Sequence, residues 1–226
     1  MKIAALAAAL VAFAVVTMRG EAAVATGMVR IPAGAFRPLY GATVSRRIAA
    51  FDMDAAAVSN GDYLDFVRAH PEWRRSRAKR LFVDEAYLRE WTGDLEPGVH
   101  APLDAPVVSV SWFAARAYLK ANARQLPTVD QWEYAAGLRN LHSVIGLRGP
   151  LSEWTLDFNS GLVNGESRGD GSLDRTLYCG AGATAAADTR DYAAFLRFAF
   201  RNSLDPRYSV STLGFRGVRA VAEARR

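Results

Sequence analysis

Leu126-Pro127-Thr128-Val129-Asp130-Gln131-Trp132-Glu133-Tyr134-Ala135-Ala136 is the most informative stretch of this chain. Thr128 is placed to cap a helix, and Gln131 stands three residues on, the spacing of a capping box. Trp132, Ala135 and Ala136 then share one face, so the helix buries a large aromatic next to small residues. Upstream, Pro106-Val107-Val108-Ser109-Val110-Ser111 reads as a strand. Ser111 caps a second helix whose apolar stripe is Phe113, Ala114, Ala117 and Tyr118.

Further out the pattern stays irregular. Met28 to Phe36 reads as a short strand and turn, and Val44 to Asp54 as another strand. Ser59-Asn60 opens a helix carrying Tyr63, Leu64, Phe66 and Val67, which His70-Pro71 stops. Residues 71–105 form a long polar connection with embedded Trp73, Phe82, Tyr87 and Trp91, and a short helix is expected near Asp84 to Trp91. Downstream, Asp191 to Asn202 reads as a helix with Tyr192, Phe195, Leu196 and Ala199 on one face. Leu213 to Val218 reads as a closing strand. With no repeat and no linker, these pieces make one domain.

At 226 residues with half of them hydrophobic, the chain is long enough for one well-filled core and is not a disordered polymer. The net charge of +5 is scattered. Its densest run, Arg74-Arg75-Ser76-Arg77-Ala78-Lys79-Arg80, lacks interleaved aromatics, so no nucleic-acid partner is expected and a solvated surface is. The first 25 residues read as an export signal: Lys2, then the uncharged run Ile3–Met18, then Ala23-Val24-Ala25 before a cleavage site at Thr26. The run is short for a spanning helix, which needs about 20 residues, and an uncleaved anchor is the alternative. The mature domain is therefore expected over 26–226, in the periplasm or secreted, with no membrane contact beyond the signal.

Cys179 is the sole cysteine, so no intramolecular disulfide is available despite the oxidising compartment that export implies. Its thiol is either buried or reactive. His70, His100 and His142 are far apart in sequence and form no ligand motif.

The ordered set of motifs resembles the formylglycine-generating enzyme, or sulfatase-modifying factor, superfamily. It comprises Phe51-Asp52-Met53-Asp54 with Val58-Ser59-Asn60, then Val110-Ser111-Trp112, then Leu126-Pro127-Thr128 with Trp132-Glu133-Tyr134-Ala135-Ala136. Glu153-Trp154 with Asp157 follows, and Leu213-Gly214-Phe215-Arg216 closes it. The resemblance implies an α+β domain, an irregular and loop-rich variant of the C-type lectin fold, with about two main helices packed on short twisted strands. Within it, Glu133 and Arg216 are candidates for a buried ion pair, and Trp112, Trp132 and Trp154 for core anchors.

The departures bear on function. Family members oxidise a substrate cysteine using two cysteines and copper. A gapless count back from Leu213 places those positions at Asp188 and Ala193, and one thiol cannot supply a two-thiolate copper site. Classical formylglycine formation and copper are therefore not expected. Gln125, Ser152 and Thr212 stand where the family has Arg, Trp and a substrate-contacting Asn, and Arg37-Pro38-Leu39 stands where the family's opening strand runs to a Met-Gly pair. Trp154 and Thr212 are carried over as substrate-binding candidates. Residual catalytic candidates are Cys179, Asp188, Tyr192 and Arg201, with Asp191 and Arg197 beside them. The family's second calcium site maps to Gly149, Leu151 and Glu153, which makes calcium a candidate cofactor, on a weak case of three ligands where calcium takes six to eight oxygens.

Three functions fit. The first is an accessory or maturation factor binding another exported protein. The chain resembles short periplasmic members associated with copper nitrite reductases, which makes a periplasmic redox enzyme one such partner. The second is a non-classical periplasmic oxidoreductase that tailors a small molecule. The third is a lectin-like binding module, which would need Trp73, Trp91 and Trp154 on one exposed surface.

Overall fold

In a computed structural model, residues 27–39, 45–138, 141–159 and 191–221 are described. Strands β1 (Met28–Ile31) and β4 (Phe51–Asp54) pair antiparallel, and β9 (Val218–Ala220) adds to the far side of β4. Met28 faces Asp54 and Ile31 faces Phe51 across one ladder; Met53 faces Val218 across the other. Phe51 and Met53, two apart and so on one face, are both buried. Three two-stranded ribbons complete the strands among the described residues: β2 (Gly34–Phe36) with β3 (Arg46–Ile48), β5 (Trp91–Gly93) with β6 (Glu96–Pro97), and β7 (Ser152–Glu153) parallel to β8 (Leu213–Gly214).

Four α-helices are present among the described residues, each where the residue pattern places one, and two more than the main pair that the resemblance implied: α1 (Asn60–Ala69), α2 (Trp112–Ala121), α3 (Val129–Gly137) and α4 (Tyr192–Asn202). Each begins at a side-chain cap, which satisfies amide groups that a helix start leaves without partners. The Ser59, Ser111, Thr128 and Asp191 side chains accept from the amides of Asp62, Ala114, Gln131 and Ala194. Thr128 forms the full reciprocal box, its Oγ1 accepting from Gln131 N at 3.1 Å while its own amide donates to Gln131 Oε1 at 3.0 Å. Thr128→Ala is expected to cost about 1 kcal/mol, read as a lower midpoint in urea with an unchanged slope.

Two expected elements do not form. Residues 85–90 are successive turns rather than a helix, because Leu88 has φ 50°, a left-handed conformation that a helix excludes. Its amide donates to Ser109 O at 2.8 Å instead. Ser109 has φ 54°, which breaks the extended run 106–111 and leaves only a bridge between Pro106 and Ser59.

The core lies in two clusters. The first packs α1, α2 and the turns around Tyr87–Trp91 onto Trp154, Leu213 and Phe215. Tyr63 sits at its centre, its ring centroid 5.7 Å from Tyr118 in a stacked pair and edge-on to Trp91 and Phe215. The Tyr87 hydroxyl donates to Trp73 O at 2.9 Å, so in its 2.8 Å contact with Tyr63 the latter is the donor. Asn60 ties the start of α1 to the loop beyond it. Its amide donates to Pro102 O and Ala105 O, and its Oδ1 accepts from Trp91 Nε1 at 2.9 Å. The second cluster joins Ile31, Phe51 and Met53 to Trp132, Ala135 and Val218. Gly214 is needed where β8 passes the first cluster, since a Cβ there would lie 2.9 Å from Val107 O.

Candidate functional site

The site is built where α3, α4 and the closing segment meet. On α3 the adjacent residues Trp132 and Glu133 point about 100° apart. The indole is buried, while the carboxylate reaches α4. Arg197 and Arg201 are one turn apart on α4, so both share the face that meets it. Arg197 grips Glu133 in two bonds, Nε to Oε1 at 3.0 Å and Nη2 to Oε2 at 2.7 Å, and Arg201 Nη1 adds a third to Oε1 at 2.6 Å. Both guanidiniums also lie over the Trp132 ring, Arg201 at 4.6 Å from its centroid and Arg197 at 5.5 Å. Burial raises the Glu133 carboxyl, but the two arginines outweigh it and hold the group below the usual carboxylate range.

The edge of Trp132 serves a second cluster. Its Nε1 donates to Glu153 Oε2 at 2.8 Å. Arg216 takes the same carboxylate side-on, Nε to Oε2 and Nη2 to Oε1, both at 2.7 Å. Both side chains are 1% exposed. Arg216 Nη2 also donates to Ile145 O at 2.8 Å and Nη1 to Asp54 O at 3.3 Å. The Asp54 carboxylate in turn accepts from Arg124 Nη1 and from Gly217 N, each at 2.7 Å. Burial pushes the Asp54 carboxyl up in spite of Arg124. Burial likewise raises Asp157, whose Oδ1 accepts from Val129 N at the start of α3.

The expected pairing of Glu133 with Arg216 is therefore corrected. Glu133 binds the α4 arginines, Arg216 binds Glu153, and Trp132 joins the two clusters. This is a structural arrangement. Each of these two glutamates has both oxygens engaged by cations fixed in the fold, and neither is a free base poised over a cleft.

The predicted residues divide accordingly. Cys179 and Asp188 lie outside the described residues. Ala193 and Tyr192 sit in the first turn of α4, with Tyr192 61% and Leu196 49% exposed side by side. Asp191 caps that helix. Arg201 is buried against Glu133 rather than open to a substrate. Trp154 is also fully buried, its Nε1 donating to Val110 O at 2.8 Å, so it is a core anchor with no surface for a ligand. Thr212 is exposed, its carbonyl accepting from Ser152 N. Gly149 is exposed and Leu151 half-buried, its methyls against Gly214. Among the described residues, no group of three or more His, Cys, Asp or Glu stands close enough to hold a metal ion. Trp91 is buried with Trp154, so Trp73, Trp91 and Trp154 do not form the exposed platform that a sugar would need. The basic run borders a cavity of about 460 Å³ lined by Arg75, Arg80, Asp84, Glu85, Tyr87 and Asp94, among others. Asp84 and Asp94 there are already committed to backbone and Ser76 donors.

Residues 13–141 match the family described as Sulfatase-modifying factor enzyme 1-like domain. The chain belongs to this family. The matched span holds α1, α2 and α3 with Trp132 and Glu133. It starts within the segment read as an export signal and stops before Glu153, Arg201 and Arg216, so the partners of the α3 residues lie beyond it. Within the sulfatase-modifying factors the chain is 28% identical over 173 residues to the Bos taurus protein named Inactive C-alpha-formylglycine-generating enzyme 2, covering 61% of this chain and 55% of that one. It is 37% identical over 82 residues to the Mus musculus protein of the same name, covering 36% and 24%. The chain thus spans about half the length, or less, of these curated relatives. No helix among the described residues is long and apolar enough to cross a membrane.

Proposed function

We propose that this chain is an exported accessory or maturation factor that uses the surface around the start of α4 to bind another exported protein, without oxidising a cysteine. One observation carries the reading: Cys179 is the only cysteine in 226 residues, so a two-thiolate copper site has no second ligand. The relatives named inactive agree with it. So does the candidate site, where Glu133, Arg197 and Arg201 satisfy one another and leave Tyr192 and Leu196 as the exposed features. An exposed aromatic beside an aliphatic residue on one helix face suits a protein partner. The domain is read as a C-type lectin variant put to protein binding, in the periplasm or outside the cell, with a redox enzyme as one partner class.

Two measurements test this. Purified protein given a cysteine-bearing sulfatase-type peptide, copper and oxygen should leave the peptide mass unchanged; formylglycine in the product would overturn the reading. A photo-reactive side chain at position 192 should capture one recurrent exported protein that the same group at Val99, which is more exposed still, does not. Equal capture from both positions would remove α4 as the binding surface.

A further inference from the structure

A family calcium site maps onto Glu153, and the donor set here does not fit an ion. Glu153 is the only carboxylate among the mapped ligands. Its Oε1 and Oε2 are taken by Arg216 Nη2 and Nε and by Trp132 Nε1, all within 2.7–3.0 Å. A divalent ion at that carboxylate would have to share it with a guanidinium whose side chain is 1% exposed, and two cations on one buried carboxylate repel strongly.

The surroundings of Arg216 explain why nothing further is needed. Besides the two carboxylate oxygens, its guanidinium meets the carbonyl oxygens of Ile145 and Asp54. A bidentate carboxylate with two main-chain carbonyls is an oxygen set of the kind that holds a hard cation; here a planar, permanently charged fork fills it. The loop is shaped for this. Gly146 has φ +82°, and a Cβ built on it would lie 3.7 Å from Arg216 Nη2. Ile145 is held from its other side by its amide, which donates to Ala55 O at 2.7 Å. The left-handed glycine lets the chain turn just as the Ile145 carbonyl faces inward.

We propose that the Arg216 guanidinium is the resident cation of the Glu153 site, so that the chain holds this junction together with no calcium there. The inference is independent of the proposed function, since it concerns which cation joins the loop 141–151, β4 and the closing segment. Wild-type protein stripped with a chelator is expected to melt at the same temperature in excess chelator and in excess calcium, and Glu153→Gln to melt lower by the same amount in both. A calcium-dependent rise in Tm that Glu153→Gln abolishes would overturn the proposal. If Glu153→Gln does not fold, terbium gives the answer in otherwise native protein. An ion on Glu153 would draw excitation from Trp132, whose indole nitrogen is 2.8 Å from that carboxylate. Terbium emission lost in Trp132→Phe would refute the proposal, and emission that is absent or unchanged by that substitution would support it.

Discussion

Replacing Glu153 with alanine should cost about 3–5 kcal/mol, the range for removing one partner of a buried ion pair. The loss is large because of what stays behind. Arg216 keeps its full charge at 1% exposure with only two carbonyls as acceptors, and the Trp132 indole loses its acceptor. Unfolding in urea, followed by tryptophan fluorescence, measures it. The pair Glu153→Leu with Arg216→Met should be milder than Glu153→Ala alone, because replacing both charges removes the desolvated cation as well as its partner. If the double variant is the less stable of the two, the cost lies in lost packing and not in the uncompensated charge.

The second large effect concerns α4. Glu133→Gln should destabilise the fold by about 2–3 kcal/mol, below the full buried-pair value because Arg197 is partly exposed. The loss should also depend on pH. The folded Glu133 carboxyl lies below its ordinary value, so its contribution is complete above the unfolded pKa of about 4.3 and fades as pH falls through the folded value. The gap between wild type and variant should therefore be flat from about pH 6 to 8 and narrow below about pH 4. Asp54 and Asp157 act in the opposite sense. Their raised carboxyls favour the folded state at low pH and lose that advantage as pH rises through the folded values. Both are present in both proteins, so they cancel in the difference. A gap that widens on acidification would mean Glu133 is not the group that holds the arginines.

The helices show what was legible beforehand. Ser59, Ser111 and Thr128 announce their helices because a cap is a contract among residues three apart, and all three caps form. The ion pairs show what was not. Glu133 and Glu153 stand in equally recognisable motifs, and Arg197, Arg201 and Arg216 all follow them in the chain. The choice of partner rests on which helix face α4 presents and on how the closing segment crosses β7, at separations of 63 to 68 residues. Arg197 and Arg201 at helical spacing were the available signal, since two cations one turn apart suit a single shared carboxylate. Residues 84–90 failed for a local reason of another kind. Their composition suits a helix, but Leu88 is pulled into a left-handed conformation by a bond to Ser109, a residue no short window contains. At the candidate site, the inherited positions were legible as positions. That Trp154 and Arg201 are interior was not, because an indole or guanidinium is written the same way whether it faces a ligand or the core.

The seat of β9 between β4 and the bridge from Gln125 to Val218 bears on how this protein is made. The central strand β4 cannot gain its second neighbour until Val218 has left the ribosome, about 165 residues of synthesis after Met53. Until then Glu153 and the carbonyls of Asp54 and Ile145 have no guanidinium to gather round. Contacts at such separation are slow to form, because chain entropy is lost before they repay it. The sheet at the centre of the second core cluster therefore stays unfinished until the segment through Val218 has been made. A ribosome stalled before residue 216 would hold a chain whose central sheet lacks β9 and whose Glu153 lacks its guanidinium.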